Sequence, residues 1–160
     1  MTDLRYGLGF DVHPRSDEPS SPFRLGGIEF EDVPGLAGHS DADVVCHALG
    51  DALLGAAALG DLGEHFPEHD PAVAGLPGAE LLARVVALLE EAGLRPHSCD
   101  LNVIAATPAI EPRRDEIRSF LAGALGVPIG SVSVKATRPE GLGLAGDGAG
   151  CLALAAVEPA

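Results

Sequence analysis

Apolar and small residues alternate from Leu4 to His13, the two-residue period of a strand, and Pro14 ends the run. A polar, proline-containing stretch, Ser16 to Pro22, separates it from two short apolar runs, Phe23–Leu25 and Ile28–Phe30, joined by Gly26-Gly27. Two glycines between runs of this kind predict a hairpin. The period then changes. From Ser40 onward apolar positions recur at Val44, Val45, Ala48, Leu49, Ala52 and Leu53, which predicts a helix running toward Gly60. Ser40 is placed to be its N-cap and Asp43 the acidic half of a capping box. Asp61 to Gly78 is rich in Gly, Pro and acids and predicts a loop. A second amphipathic helix is expected over Ala79–Ala92, stopped by Gly93, then a strand at Leu101–Ala105, a helix at Arg113–Leu125 and a strand at Val132–Thr137. Strand, helix, strand at these lengths is a βαβ unit, so part of the sheet is parallel. A glycine-rich loop, Gly141–Gly150, leads to a closing strand, Cys151–Val157. The expectation is a single α/β domain, its mixed sheet packed on one face by helices, with a small hairpin beside it; 160 residues suit one domain of about 100–200.

Composition changes what fills that frame. The chain is 46% apolar but has no Trp, one Tyr and five Phe, so its core is built from Ala, Val, Leu and Ile. Ten basic residues against 24 acidic ones give a net charge of −14, which excludes electrostatic binding of a nucleic-acid polymer and argues against anionic membranes. The most apolar run, Ala52–Leu59, is too short to span a bilayer. Cys46, Cys99 and Cys151 form no C-x-x-C pair, and the first residues lack the basic-then-apolar pattern of a signal peptide. A cytoplasmic protein is expected. The charge is also uneven: between Arg24 and Arg84 there is no Lys or Arg, yet that stretch holds eleven acids and four of the six histidines. Such a stretch is either a solubilising surface or a cation site, since Asp, Glu and His are the ligands metals use.

Asp11 and His13 are two apart on the first strand and so point to one face. On the predicted helix, Asp43, His47 and Asp51 recur every four residues and share a face, which offers a ligand with flanking carboxylates to orient it. Together, Asp11, His13 and His47 have the ligand count of a catalytic zinc site, in which a fourth position stays open. Other motifs carry less. Gly141-Leu142-Gly143-Leu144-Ala145-Gly146 is a literal G-x-G-x-x-G, but a strand rather than a helix is expected after it. Gly38-His39-Ser40-Asp41-Ala42 nearly matches a nucleophile elbow, yet Ser40 is better used as a cap. His65 and His69 are four apart, but Pro67 prevents the helix that would join them. Lys135, the single lysine, ends a parallel strand where open α/β sheets place ligands.

Several segments occur in one family's order: Gly9-Phe10-Asp11-Val12-His13, His39-Ser40-Asp41-Ala42-Asp43, His47-Ala48-Leu49, Asp51 through Gly63, Phe66-Pro67, Val134-Lys135-Ala136-Thr137 and Glu140-Gly141-Leu142-Gly143. In these the chain resembles the 2-C-methyl-D-erythritol 2,4-cyclodiphosphate synthases of non-mevalonate isoprenoid synthesis. The resemblance implies a lyase that cyclises a cytidine-diphosphate-linked methylerythritol 2-phosphate and releases CMP. It also implies a homotrimer whose sheets face the three-fold axis, with active sites between subunits, one zinc ion per site, and Mg²⁺ or Mn²⁺ on the substrate diphosphate. By the same correspondence Asp11, His13 and His47 would hold zinc, Glu140 the second metal, and His39 and Ser40 the substrate phosphate, with His39 stabilising the transition state. Asp61, Leu62, Gly63, Phe66, Glu68 and Asp70 would close over the methylerythritol. Ala105, Pro108, Ala109, Ile110, Ala136 and Thr137 would form the cytidine pocket.

The chain departs from that pattern in places. Arg138 and Pro139 replace threonines, so the Arg138 guanidinium is a candidate phosphate clamp and catalytic group. Ala109 replaces a lysine frequent near the cytidine pocket, and Glu68 an aspartate. Leu144, Asp147 and Ala149 replace Phe, Arg and Glu, which bears on anion binding in the trimer's central cavity. These substitutions leave two other readings open, a trimeric zinc-binding protein of the same fold without cyclase activity and a metallo-phosphoesterase.

Overall fold

Four strands form one sheet in the order β1-β6-β4-β5, where β1 is Arg5–His13, β4 Leu94–Ala105, β5 Val132–Thr137 and β6 Ala149–Pro159. The β1/β6 and β6/β4 pairs are antiparallel and β4/β5 is parallel, so the sheet is mixed as expected. A separate two-stranded hairpin comprises β2 (Phe23–Leu25) and β3 (Ile28–Phe30). The structure, a computed structural model, describes residues 3–18, 22–31, 33–38, 40–143 and 147–160. Helix α1 (Val44–Ala57) lies over β1 and β6, α3 (Gly78–Glu91) over β4, and α4 (Arg114–Leu125) over β5; α2 (Leu62–His65) is a single turn beside α1.

The alternation in β1 sets which face the helices cover. Gly7 and Gly9 point at α1 so closely that a Cβ on Gly9 would stand 1.9 Å from the Ala48 carbonyl oxygen, and one on Gly7 2.0 Å from that of Ala52. The small residues therefore face inward, and the large ones, Tyr6, Leu8, Phe10 and Val12, face outward and are exposed. Register places Leu8 opposite Leu154 and Phe10 opposite Leu152, which are also exposed, so one half of the outer sheet face is apolar. Its other half is polar: Lys135 pairs with Asp100 at 2.7 Å, and Thr137 donates to Asn102 at 2.8 Å. Asp11 and His13 share the parity of Gly7 and Gly9, which turns them toward α1 and His47.

Besides shifts of one or two residues at other ends, three parts of the chain differ from the sequence expectation. Ser40 does not cap α1; Asp43 does, its carboxylate accepting from the Val45 and Cys46 amides. Ala42 has a left-handed φ of 54°, which breaks any helix starting at Ser40. Asp43 is fully buried rather than on a polar face, and its carboxylate also accepts from Gly26 at 2.8 Å and Gly27 at 2.7 Å, tying the hairpin to the helix. α1 itself is buried almost all round, because the sheet, α3 and the hairpin enclose it. β4 begins at Leu94, seven residues before the expected Leu101, since a shift of register between Pro96 and Ser98 lets the strand pass a proline. The 61–78 segment contains α2, capped by the Asp61 carboxylate on the Glu64 amide.

Candidate active site

Asp11 Oδ2 stands 3.1 Å from His13 Nε2 and 3.1 Å from His47 Nδ1. Asp11 and His13 come from the end of β1, and His47 from the first turn of α1. One potential ligand atom from each residue lies within 4.8 Å of the others. Each imidazole is fixed through its other nitrogen. His13 Nδ1 donates to the Ala37 carbonyl at 2.7 Å, which leaves Nε2 as its free donor atom in the neutral ring. His47 Nε2 meets the Ser40 hydroxyl at 2.9 Å, with Asp41 Oδ1 further off at 3.9 Å, which leaves Nδ1 facing Asp11. A tetrahedral zinc ion with ligands at about 2.0–2.1 Å separates them by about 3.3 Å, so the two Asp11–histidine separations fit zinc, as does the His13 tautomer fixed by Ala37.

Charge in the metal-free cluster follows from the same contacts. Burial pushes the Asp11 carboxyl up, but the hydrogen bonds and charges of His13 and His47 outweigh it and hold the group well below the usual carboxylate range. The hydrogen bond to Asp11 raises His13 in turn, against its own burial. Asp51 is raised by burial, although its carboxylate accepts from the Leu62 amide at 2.8 Å.

The cluster opens into a pocket of about 290 Å³ whose walls include Ser40, Asp51, Leu62, Gly63, Phe66 and Glu68. A second pocket, of about 220 Å³, lies at the C-terminal ends of the parallel strands β4 and β5 and is lined by residues 105–111 with Ala136, Thr137 and Arg138. The structure therefore divides most of the expected site residues between two pockets. Asp61 and Asp70 line neither pocket; their carboxylates accept from nearby amides, Glu64 and Ala72 respectively. Glu140 is exposed after β5, with a left-handed φ of 51°, and is absent from the histidine cluster. Asp43, expected to orient His47, serves as cap and hairpin anchor instead. His39 and Leu144 lie outside the described residues. Sequence reasoning missed Val73, Ala74 and Leu81 on the pocket wall, and Asp41, which also accepts from the Gly78 amide at 2.7 Å. Only Asp41 had a signal, its place in the His39-Ser40-Asp41 run.

Residues 4–158 match the YgbB family. The chain belongs to that family. It is 50% identical over 149 residues to the 2-C-methyl-D-erythritol 2,4-cyclodiphosphate synthase of Symbiobacterium thermophilum, covering 93% of this chain and 94% of that one. The bifunctional IspDF of Campylobacter jejuni superposes with a TM-score of 0.92 at 33% identity, over 100% of this chain and 43% of that larger one. A cyclodiphosphate synthase in its CDP-bound form superposes with a TM-score of 0.87 at 29% identity, over 96% of this chain and 99% of that one. The family resemblance read from the sequence is thereby established, and it extends over almost the whole chain.

Proposed function

We propose that the two pockets are the halves of a cyclodiphosphate synthase active site. The chain is an enzyme that converts 4-diphosphocytidyl-2-C-methyl-D-erythritol 2-phosphate to 2-C-methyl-D-erythritol 2,4-cyclodiphosphate and CMP. One observation carries this reading: a zinc-competent Asp-His-His cluster sits in a chain that a cyclodiphosphate synthase matches at 50% identity along nearly its full length. The non-catalytic alternative is not favoured, because the match spans both pockets and not the metal cluster alone.

The reaction needs no protein nucleophile. The 2-phosphate oxygen attacks the β-phosphorus, the bond to the CMP oxygen breaks, and the ring closes; positioning and charge stabilisation supply the catalysis. A zinc ion bound by Asp11, His13 and His47, with Mg²⁺ or Mn²⁺ near Glu140, would polarise the phosphates and neutralise their charge. Ser40 holds the His47 ring and, with His39, receives the attacking phosphate. Leu62, Gly63, Phe66 and Glu68 enclose the methylerythritol, with Asp61 and Asp70 shaping the loop that covers it. The residue 105–111 loop, with Ala136 and Thr137, takes the cytidine through backbone groups, and Arg138 clamps the diphosphate in place of the usual threonine.

A homotrimer completes the site. The exposed apolar half of the sheet face, with Tyr6 63% and Leu8 66% exposed, is a surface that copies of the chain can cover around a three-fold axis. That packing sets the first pocket of one subunit against the second pocket of its neighbour. Three buried free thiols suit a reducing cytoplasm, and no helix among the described residues is long and apolar enough to cross a membrane. Phosphorus NMR of the reaction tests the chemistry: a cyclic diphosphate with equimolar CMP is expected. A hydrolysed, open-chain diphosphate would favour a phosphoesterase instead.

A further inference from the structure

The 105–111 loop that walls the second pocket is made of small or apolar residues apart from Thr107 and Glu111. Its shape must come from outside itself. Among the described residues, the side-chain hydrogen bonds that fasten it to a remote part of the chain come from Arg15. Arg15 Nη2 donates to the Thr107 carbonyl at 2.7 Å and to the Thr107 hydroxyl at 2.8 Å. Its Nη1 donates to the Pro34 carbonyl at 2.8 Å, and the guanidinium lies 4.6 Å from the centre of the Phe23 ring.

Each of these anchors leads back to the metal cluster. Arg15 is two residues beyond His13. The segment 14–16 pairs with 35–37, through Ser16 to Gly35 at 2.8 Å and Ala37 to Pro14 at 2.9 Å, and this is the segment that receives His13 at Ala37. Phe23 belongs to the hairpin, its ring meets Phe30 edge-on, and Arg113, two residues beyond the same loop, covers Phe30 while donating to the Glu29 carbonyl. The hairpin in turn hangs on Asp43 at the start of the helix bearing His47.

We infer that Arg15 is a positioning residue for nucleotide recognition, holding the Thr107 loop against the 34–37 segment and the hairpin so that the second pocket is preformed for a cytidine diphosphate. The assignment rests on the cyclase reading of that pocket. A guanidinium is required because its planar fork reaches two carbonyls in different directions while lying on an aromatic ring; an ammonium on a flexible stem does not do all three. Arg15 touches no reacting group, so its loss weakens binding of the nucleotide end of the substrate and spares the chemical step.

The test compares the full-length protein with R15A, R15K and T107V, measuring CDP affinity by calorimetry, KM and kcat for CMP release, and zinc per chain. R15A and R15K are each expected to raise the CDP dissociation constant and KM about tenfold, with kcat within about twofold and one zinc retained. T107V, which keeps the carbonyl, is expected to lose about threefold in CDP affinity. Unchanged CDP affinity in R15A overturns the assignment, as does a loss that tracks falling zinc content, which would make Arg15 a general staple. Full restoration by lysine also overturns it, since charge alone would then suffice. If the unsubstituted protein binds no CDP, the cyclase reading of the pocket fails and takes the assignment with it, an outcome distinct from a failure confined to the Arg15 variants.

Discussion

Ser40 does its most consequential work through one hydroxyl. With Nε2 of His47 held by Ser40 Oγ, Nδ1 is left as the nitrogen that faces Asp11. Groups that orient a ligand in this way typically cost 10–100-fold in metal affinity when removed, so Ser40→Ala is expected to weaken zinc binding about 10–100-fold, read by competition with a chromophoric chelator. The Asp11–His13 contact makes a second prediction, about pH. His13 holds its proton more tightly in the folded, metal-free chain than its ordinary value of 6.5, so the stability it adds is complete below that pH and is lost as pH rises through its raised value. Asp11, held low, contributes above 3.8 and loses that contribution only as pH falls through its lowered value. Metal-free protein is therefore expected to melt at progressively lower temperature as pH rises above 6.5, while the increment added by zinc grows over the same rise, because the ion no longer displaces a proton. Thermal scans of metal-free and zinc-loaded protein across that range check both signs.

At the scale of elements, the strand β1 and helix α1 behave as one unit, joined where Gly7 and Gly9 admit the helix backbone. Gly9→Ala puts a Cβ against the Ala48 carbonyl, and relief requires the two elements to separate. A destabilisation of about 1–3 kcal/mol is expected, together with weakened zinc binding, because Asp11 and His47 sit on opposite sides of that contact. Calorimetric unfolding and a zinc titration on the same variant test the coupling. Much of this pair was legible in the sequence. The strand period put Asp11 and His13 on one face, and the helical period put His47 near the start of a helix. What the pattern did not disclose was direction. In β1 the small residues face the core and the large ones the surface, the reverse of ordinary amphipathic reading, since only the structure shows how near the helix lies. The N-cap escaped because Asp43 and Ser40 both suit the role, and the choice between them was made by a left-handed Ala42 and by the hairpin amides that need an acceptor. The early start of β4 was hidden by Pro96, which a register shift accommodates. The two-pocket division was legible only through the family resemblance and not from period or spacing, because it depends on where β4 and β5 end relative to β1 in space.

The whole molecule leaves an apolar half-face uncovered and two pockets that each hold part of the expected chemistry. The proposed trimer would resolve both. Leu8→Glu places a charge at the centre of that face and is expected to convert a trimer to monomers by light scattering, with zinc retained in the metal cluster and CMP release lost; a variant that remains trimeric would move the interface elsewhere. The net charge of −14 fits the same picture. An acidic protein is poorly suited to phosphates by its side chains alone, and the cation-free stretch between Arg24 and Arg84 supplies His47 and acids around it, so in the proposed site the positive charge would be brought by metal ions. Charge therefore excluded a nucleic-acid polymer without excluding a nucleotide. The central claim, that an Asp11–His13–His47 metal centre drives cyclisation with release of CMP, is tested most directly by CMP release before and after exhaustive chelation, followed by return of zinc and magnesium. Loss of at least about a hundredfold on chelation and recovery on metal return are expected. CMP release that persists undiminished in the chelated protein would contradict the account.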